Sequence, residues 1–429
     1  MKRTVVIILL AAAFLFVLAG IAGILFFTFR RGGVALNRPL IYATAEENKT
    51  LDVEGPVTLK IRDDAGTVTV NSGMSDEQVL VKVVKTGSAF TQAGAESDLK
   101  DIQYEVKQDG NAITLTYKRE NLNIDNSVDT VDFIVTVPSE TSVEVDANFG
   151  EVNVKDTRGS VDIANSFGDV ILLSIEGEVT VDTRSGKVDA SAINAGDANI
   201  ELTSGFGTVS LDGANGKDIV LHSSSGILEM SDVRASGKVE MATDFGDVRF
   251  NNGSASALRV ETNSGKVTLE GLTLRGALTA KSELGEISLE KVKATSYDVQ
   301  TNSGSITLDG VSGNVKAHSG FGSVTVKNAD SVTLDLSTQS GPVEFEGSLG
   351  DGPHTVHTDF GEINLTFPAN SALDVDLQTD FGSIESDIPI TVILSGDGEK
   401  NHQTGKMNEG GAKLTVSTQS GNISIQAGK

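Results

Sequence analysis

Apolar and polar residues alternate in short runs along most of this chain, and the runs recur with a glycine between them. In the stretch 239–250, apolar side chains fall on odd positions before Gly246 and on even positions after it. Because side chains on a strand point alternately to its two faces, a change of parity marks a turn or a bulge. Glycine suits this place since it tolerates backbone angles that other residues avoid. The pattern predicts two short strands joined by a tight arc, with both apolar sets facing one interior.

The arc glycine returns at a nearly constant interval. From Gly150 to Gly382 there are twelve intervals over 232 residues, a mean of about 19. Such a period is typical of repeat proteins whose units stack in one direction. We therefore predict an all-β fold, a parallel β-solenoid with rungs of about 19 residues, in which roughly fifteen rungs pair side by side at about 4.8 Å. The predicted arc glycines are Gly150, Gly168, Gly186, Gly207, Gly226, Gly246, Gly265, Gly285, Gly304, Gly322, Gly341, Gly361, Gly382 and Gly421.

The residue before each arc glycine is alternately large and small through most of the array, as in Phe206, Ser225, Phe245 and Ser264. In a densely packed interior, a large side chain can lean over a small one in the next rung. We therefore expect these phenylalanines to be buried. A threonine often lies two positions earlier, as Thr243 does, and suits a ladder of stacked hydroxyls.

Residues 4–29 form an apolar run without a charge, flanked by basic residues. As a helix this run would be about 39 Å long, enough to span a bilayer of about 30 Å. A cleaved signal peptide usually has a shorter apolar region and a small-x-small cleavage site. We expect residues 1–31 to be an uncleaved single-pass transmembrane helix, with the acidic body outside the cytoplasm.

The rest of the chain, residues 32–429, divides into segments that differ in the regularity of the repeat. Residues 32–39 read as a linker, and residues 40–140 as a less regular β region, with a helical turn near 96–101. Because an uncovered solenoid end exposes a strand edge, we expect this N-terminal β region to cap the array. The repeat array then occupies residues 141–429. A polar, glycine-rich segment at 396–411 replaces one copy and is predicted to be a loop.

Composition and charge narrow the class of protein. Glycine accounts for 46 of 429 residues, and cysteine and tryptophan are absent. This profile suits a turn-rich β protein with a thin core, and it excludes disulfides and thiolate metal sites. The net charge of −25 repels nucleic acid and anionic headgroups, so we expect no nucleic-acid partner. The acids either keep a long β protein soluble or serve a specific cation or basic partner.

Two acid pairs flank arcs, Asp244 with Asp247 and Asp359 with Glu362. Paired carboxylates perform glycoside hydrolysis, and acidic turns can hold Ca²⁺. However, acids recur at these positions in rung after rung, whereas an active site should break the repeat once. We therefore predict no enzyme, no catalytic residue and no cofactor, and leave repeated cation binding as an alternative.

Neither the histidines nor the Asp-Phe-Gly tripeptides predict chemistry. His354 and His357 are three residues apart, so on a strand they point to opposite faces and cannot share a metal. Asp-Phe-Gly at 244–246 matches a kinase magnesium motif in letters only, since no kinase lysine strand or catalytic loop accompanies it. We predict no metal site.

Three features carry a resemblance to a known family. They are the segment 55–59 leading to 65–70, the strand-like segment 131–138, and the ladder of Ser-Gly or Phe-Gly followed by valine. Over residues 50–429 the chain resembles the bacterial putative-adhesin family, β-strand-repeat domains that often follow a membrane anchor. The resemblance implies a right-handed β-solenoid-like fold on the outer side of a membrane, and it supplies no catalytic residues.

Our leading hypothesis is a non-enzymatic, membrane-anchored, extracytoplasmic scaffold, adhesin-like, that binds a glycan or an envelope protein. One alternative is a regulatory partner in envelope-stress signalling, acting through residues 4–29. The other is a carbohydrate-active β-helix enzyme that uses the acid pairs. The residues leave the oligomeric state open.

Overall fold

The computed structural model describes residues 39–73, 77–119, 129–392 and 401–428. The predicted anchor at residues 4–29 lies outside these ranges. Within them, we find no helix with the length and apolar character needed to cross a bilayer.

One helix and thirty-seven strands make up the described chain. The N-terminal elements are β1 Ile41–Asp52, β2 Val57–Asp63, β3 Val68–Ser72, β4 Gln78–Ala89, α1 Gln92–Asp101, β5 Tyr104–Asp109, β6 Ala112–Tyr117 and β7 Thr130–Val137. The central strands are β8 Thr141–Phe149, β9 Val152–Lys155, β10 Val161–Phe167, β11 Val170–Glu176, β12 Val179–Ser185, β13 Val188–Asn194, β14 Ile200–Phe206, β15 Val209–Asp212, β16 Asn215–Gly216, β17 Ile219–Ser225, β18 Leu228–Ala235, β19 Lys238–Phe245, β20 Val248–Ala255, β21 Ala257–Ser264, β22 Val267–Leu274, β23 Ala277–Ser282, β24 Ile287–Glu290, β25 Ser296–Thr301, β26 Ile306–Asp309, β27 Ser312–Ser319, β28 Val324–Ser340, β29 Val343–Leu349, β30 His354–Phe360 and β31 Ile363–Pro368. The C-terminal strands are β32 Leu373–Phe381, β33 Ile384–Ser386, β34 Ile390–Val392, β35 His402–Met407, β36 Ala412–Ser420 and β37 Ile423–Gly428.

Successive turns of the chain lie side by side. Strand β10 pairs in parallel with β8 and β12, and β11 pairs in parallel with β9 and β13. Each turn therefore adds one strand to a first face, before the arc, and one to a second face, after it. From Gly150 to Gly361 the arcs stack in eleven steps over 211 residues, about 19 residues per turn. The predicted parallel β-solenoid is confirmed.

The core is a narrow layer between the two faces. In β19 and β20 the side chains of Val239, Met241, Val248 and Phe250 are buried, while most of the residues between them face outward or lie at the margin. This is the alternation that the parity change at the glycine predicts. Because each rung buries only a few side chains, its stability depends on contact with the rungs on both sides.

The arcs stack so closely that only glycine fits. A Cβ atom added at Gly246 would lie 2.0 Å from the carbonyl oxygen of Gly226, and one added at Gly265 would lie 1.9 Å from that of Gly246. Both distances are far inside van der Waals contact. The regular glycine spacing therefore records a packing requirement of the corner.

From Gly207 onward, buried hydroxyls tie each arc to the arc stacked beside it. Thr243 Oγ1 donates to the carbonyl oxygen of Gly226 over 3.1 Å, and Thr301 Oγ1 donates to that of Gly285 over 3.0 Å. The predicted hydroxyl ladder thus exists, but its bonds run to backbone carbonyls rather than between hydroxyls. The same bond is made by Ser204, Ser223, Thr262, Ser282, Ser319, Thr338, Thr358, Thr379 and Thr418.

The N-terminal region supplies rungs as well as a cover for the first rung. Strands β2 and β3 form a rung that lies between β6/β7 and β8/β9, with parallel pairing on both sides. Beyond it, β5 pairs antiparallel with β6, and β4 and β1 continue antiparallel from β7. Helix α1, whose first turn is capped by the Thr91 hydroxyl, packs against β1 and β4. Antiparallel strands thus take up the hydrogen-bonding edge of the first rung.

The C-terminal end repeats this device. Strands β36 and β37 insert between β30/β31 and β32/β33. Strand β35 then pairs antiparallel with β32, and β34 pairs antiparallel with β35. A loop over 396–411 is therefore wrong for His402–Met407, which is strand β35. The edge of β32 provides the backbone partners that a polar sequence alone does not reveal.

Candidate functional site

The phenylalanines that precede the arc glycines lie outside the rod, so the expectation that they fill its interior is wrong. Phe245 is 61 % exposed, and the others range from 42 % at Phe167 to 78 % at Phe381. The inward series ends at Thr243, after which Asp244 and Phe245 both face outward. The chain starts to turn there, where the Thr243 hydroxyl bonds to the previous arc. Counting parity up to the glycine places the turn two residues too late.

We define the corner ridge as the eight large apolar residues exposed at this corner. Register places Phe206 between Ser185 and Ser225, and Phe245 between Ser225 and Ser264. Large side chains therefore recur at every second rung, about 9.6 Å apart. The ridge consists of Phe149, Phe167, Phe206, Phe245, Leu284, Phe321, Phe360 and Phe381.

The first two members of the corner ridge depart from this spacing. Phe149 and Phe167 occupy adjacent rungs, and their rings stack at 5.2 Å with an interplanar angle of 8°. The guanidinium of Arg184 lies 6.0 Å from the centre of the Phe167 ring. These contacts account for the lower exposure of Phe167. The even spacing of ridge residues at every second rung therefore begins at Phe206.

A row of acid and amide side chains runs beside the corner ridge on the first face. Asn263 Nδ2 donates to Asp244 Oδ1 over 2.9 Å, and Asn302 donates to Glu283. Acids lie on several rungs that carry a ridge residue, and amides on the intervening serine rungs. We call this row the polar rail. It consists of Asp244, Asn263, Glu283, Asn302, Gln339, Asp359, Gln419 and Asp380.

The corner carries a strong negative charge. Two sets of positions form this edge, the residue before each ridge residue or corner serine and the residue after each arc glycine from Gly150 onward. The carboxylates there are Glu151, Asp169, Asp244, Asp247, Glu283, Glu286, Asp359, Glu362 and Asp380, against the cations Arg184, Lys187 and Lys266. Nine carboxylates and three cations give this edge a net charge of −6.

The first of the two acid pairs considered for catalysis, Asp244 with Asp247, is engaged with other groups. Asp247 forms an ion pair with Arg249 at 2.8 Å and accepts the backbone N–H of Lys266 at 2.9 Å. Asp244 accepts from Asn263. These two carboxylates lie on a convex corner in contact with water, whereas a catalytic pair of carboxylates flanks a substrate that is bound in a concave site.

His354 and His357 lie on opposite sides of their strand, as their spacing predicts. The ring of His354 is fully buried between the backbone N–H of Leu334, which donates to Nδ1 at 3.3 Å, and the carbonyl of Gly350, 3.1 Å from Nε2. Burial lowers the pKa of His354 and keeps its imidazole neutral. This histidine is structural.

The half-buried His357 contacts two groups that sequence reasoning missed. Its Nδ1 lies 2.8 Å from Ser417 Oγ, and its Nε2 lies 3.1 Å from Asp359 Oδ1. The 60-residue separation between His357 and Ser417 conceals this contact, which exists because β36 inserts out of order. The contact between His357 and Ser417 could be predicted only if the pairing of β30 with β36 were already known.

This serine, histidine and aspartate lack the surroundings of a nucleophilic site. They lie on a flat strand surface, where neighbouring backbone N–H groups are used in the parallel ladder and are not free to stabilise an oxyanion. The same contact recurs between His318 Nδ1 and Ser337 Oγ at 2.9 Å, so it belongs to the repeat. In the described ranges, no group of three or more acidic or histidine side chains could hold a metal ion.

A shallow polar depression of about 410 Å³ lies on the first face beside the start of the corner ridge. Its lining includes Asn165, Asp182, Arg184 and His222. Polar side chains of this kind can bind hydroxylated ligands, and the lining also includes Ser166 and Gly205, which directly precede Phe167 and Phe206 in the sequence.

Together, these features define a class: a capped parallel β-solenoid with a row of large apolar side chains exposed along one corner. The model of the Toastrack DUF4097 family matches residues 58–310 and 256–426, which together cover most of the chain. The chain belongs to this family. The match confirms the resemblance to adhesin-like β-repeat proteins. No curated protein matches the chain.

Several solved structures show low similarity. A candidate cell adhesion protein from Clostridium sporogenes is 12 % identical, with a TM-score of 0.17, over 90 % of this chain and 100 % of that one. A candidate adhesin from Bacteroides fragilis is 11 % identical, with a TM-score of 0.31, over 52 % and 96 %. One from Parabacteroides distasonis is 12 % identical, with a TM-score of 0.17, over 75 % and 97 %. Similarities this low bear on neither the fold nor the function of this chain.

Proposed function

We propose that this protein is a non-enzymatic, adhesin-like scaffold that binds a glycan or a protein of the cell surface or envelope. In this proposal, residues 4–29 anchor it in the membrane and the solenoid lies outside the cytoplasm. The corner ridge is the observation that carries the proposal. Single exposed apolar residues need no explanation, but eight of them in one line along a corner form the kind of apolar surface that marks an interaction site.

The repeat itself supplies an internal comparison for the corner ridge. Ser225 and Ser264 occupy the same corner position as Phe245, one rung before and one rung after it. Their arcs stack in the same way. A small polar residue therefore satisfies the fold at this position, and the large apolar residues are not required for packing. Their exposure favours a role in binding.

The scaffold also suits this role because it is rigid. From Phe206 onward, each ridge residue lies directly before an arc that is fixed by the parallel ladder and by a buried hydroxyl bond, such as that from Thr243 to Gly226. A binding surface that is already ordered loses little conformational entropy on association. The anchor at residues 4–29 would hold such a rod at a membrane surface.

The test compares binding of the full-length protein, held in lipid nanodiscs, to isolated cell envelopes. The ridge variant combines Phe206→Ser, Phe245→Ser and Phe321→Ser. The matched control is Phe90→Ser, which removes a phenylalanine that is 44 % exposed away from the corner. We expect the native protein and the control to sediment with the envelopes and the ridge variant to remain in solution. Equal sedimentation of all three, or of none, would overturn the proposal.

A further inference from the structure

We infer that the corner ridge binds a linear, uncharged β-1,4-linked polysaccharide that lies along the rod axis. This inference rests on the proposed function and assigns its ligand class. The phenylalanine rings stack on the apolar faces of alternate sugars, and the polar rail hydrogen-bonds to their hydroxyl groups.

Spacing carries the first step. From Phe206 to Phe381 the ridge residues recur at every second rung, so five intervals span about 48 Å. Successive sugars of an extended β-1,4-linked chain are rotated by about half a turn, and equivalent faces therefore recur once per disaccharide. The length of one such disaccharide is close to two strand separations. A glycan extended along the rod axis can thus meet a ridge side chain once per disaccharide, a phenylalanine ring at five of these six positions and Leu284 at the other.

The alternation with serine carries the second step. Between Phe206 and Phe245 the corner holds Ser225, and between Phe245 and Leu284 it holds Ser264. These small residues leave a gap opposite every second sugar, where the inverted sugar can place its substituents. A continuous row of phenylalanines would fill these gaps, whereas the observed row matches a ligand with a two-unit repeat.

The polar rail carries the third step. Carboxylates accept hydrogen bonds, and amides both donate and accept them, so together they suit vicinal sugar hydroxyls. Asp244 and Asn263 already bond to each other across adjacent rungs, which fixes their orientation. Ligand-binding surfaces typically combine apolar contact with a few positioned polar groups. The corner ridge and polar rail provide both along one line.

The negative charge of the corner limits which ligands can bind to the ridge. The net charge of −6 along the corner repels anionic lipid headgroups, nucleic acid and uronic-acid or sulfated glycans. A second copy of this chain would bring one set of nine carboxylates against another. An uncharged polysaccharide meets no such repulsion, and its hydroxyl groups can donate to the carboxylates.

The experiment uses the full-length protein in nanodiscs and β-1,4-linked glucose oligosaccharides of graded length, with binding measured by calorimetry. We expect affinity to rise about 2- to 10-fold for each added disaccharide, since each one reaches another ridge residue, a phenylalanine at every position except Leu284. A linear glycan that carries carboxylates should not bind. Affinity that is independent of length, or binding of the anionic glycan alone, would overturn the inference.

A register variant tests spacing apart from apolar area. Phe245→Ser combined with Ser264→Phe moves one ring by a single rung and keeps the number of exposed phenylalanines. We expect about a 2- to 10-fold loss of affinity for long oligosaccharides, the contribution of one ridge residue, while Phe245→Tyr, which keeps the spacing, binds as the native protein does. Far-ultraviolet circular dichroism confirms that the variants are folded.

The outcomes separate this inference from the proposed function. If the register variant binds the oligosaccharides as the native protein does, the spacing inference is wrong. If no oligosaccharide binds but the ridge variant still loses envelope binding, the ligand is of another class and only the inference falls. If the ridge variant keeps its envelope binding, both fall.

Discussion

Replacing Thr301 with valine keeps the shape of the side chain and removes only its hydroxyl. In the native chain this hydroxyl donates to the carbonyl oxygen of Gly285, 3.0 Å away on the previous arc. Thr301 is 2 % exposed, so water cannot readily take over the bond. A net hydrogen bond of this type contributes about 0.5–1.5 kcal/mol. We therefore expect Thr301→Val to destabilise its rung by about 1 kcal/mol.

The chain offers a matched control for this substitution. Thr183 occupies the equivalent position before Gly186 and is fully buried, but its hydroxyl has no hydrogen-bond partner. The carbonyl of Gly168, which it would use, already accepts from Asn165 Nδ2 at 3.1 Å. Burying an unpaired hydroxyl costs about 1–3 kcal/mol. Thr183→Val should therefore leave stability unchanged or raise it by about 1 kcal/mol.

Native-state hydrogen exchange is the appropriate assay, since repeat arrays open locally and a global unfolding free energy is poorly defined for them. We expect amides around 285–304 to exchange about 5-fold faster in Thr301→Val. Amides around 168–186 should exchange no faster in Thr183→Val. If both substitutions accelerated exchange equally, the hydroxyl-to-carbonyl ladder would not stabilise the arcs.

Three further predictions concern the arc, the corner ridge and the N-terminal end. Gly246→Ala places a Cβ atom 2.0 Å from the Gly226 carbonyl oxygen. We expect the local stability to fall by at least about 3 kcal/mol, which would appear as faster hydrogen exchange of the amides in adjacent rungs. Native-like exchange of these amides would contradict the packing assigned to the corner. Phe245→Ser should change stability by no more than about 0.5 kcal/mol in the same assay, because the side chain is exposed, and a larger loss would show a structural role. Burial raises the pKa of Asp63 from 3.8 to about 8. Because the pKa of Asp63 is higher in the folded chain than in the unfolded chain, the folded state favours the protonated carboxyl. Its contribution to the stability of the N-terminal rungs is therefore complete below about pH 4 and is lost as the pH rises to about 8. Limited proteolysis of this end should therefore be faster at pH 8 than at pH 5, and the difference should shrink in Asp63→Asn; an unchanged difference would assign it to other groups.

Much of the fold follows from the glycine spacing. The arc requires a residue without Cβ, so the repeat length, the rung and the parallel pairing are all visible in the sequence. The exchanged order of the end rungs is not visible in the sequence, because the strands that follow Gly66 and Gly421 have the same apolar pattern as the strands in the array. What distinguishes them is which edge each strand pairs with, a long-range property.

The sequence shows the corner ridge as an alternation of Phe and Ser, but it does not show that the phenylalanine side chains point out of the rod. Parity counting assumes that a strand continues to the glycine, whereas the turn begins at Thr243, whose hydroxyl bonds to the previous arc. An exposed Phe245 and a buried one produce the same letters. The contact of His357 with Ser417 could not be predicted either, since it depends on the insertion of β36.

The central claim is that the corner ridge is the surface that contacts the ligand, and hydroxyl-radical footprinting tests it most directly. Full-length protein is oxidised in the presence and absence of the envelope fraction, and the modification of each phenylalanine is measured by mass spectrometry. We expect protection of Phe206, Phe245 and Phe321 in the complex and unchanged oxidation of Phe90. Equal oxidation of the three ridge residues with and without the envelope fraction would contradict the account.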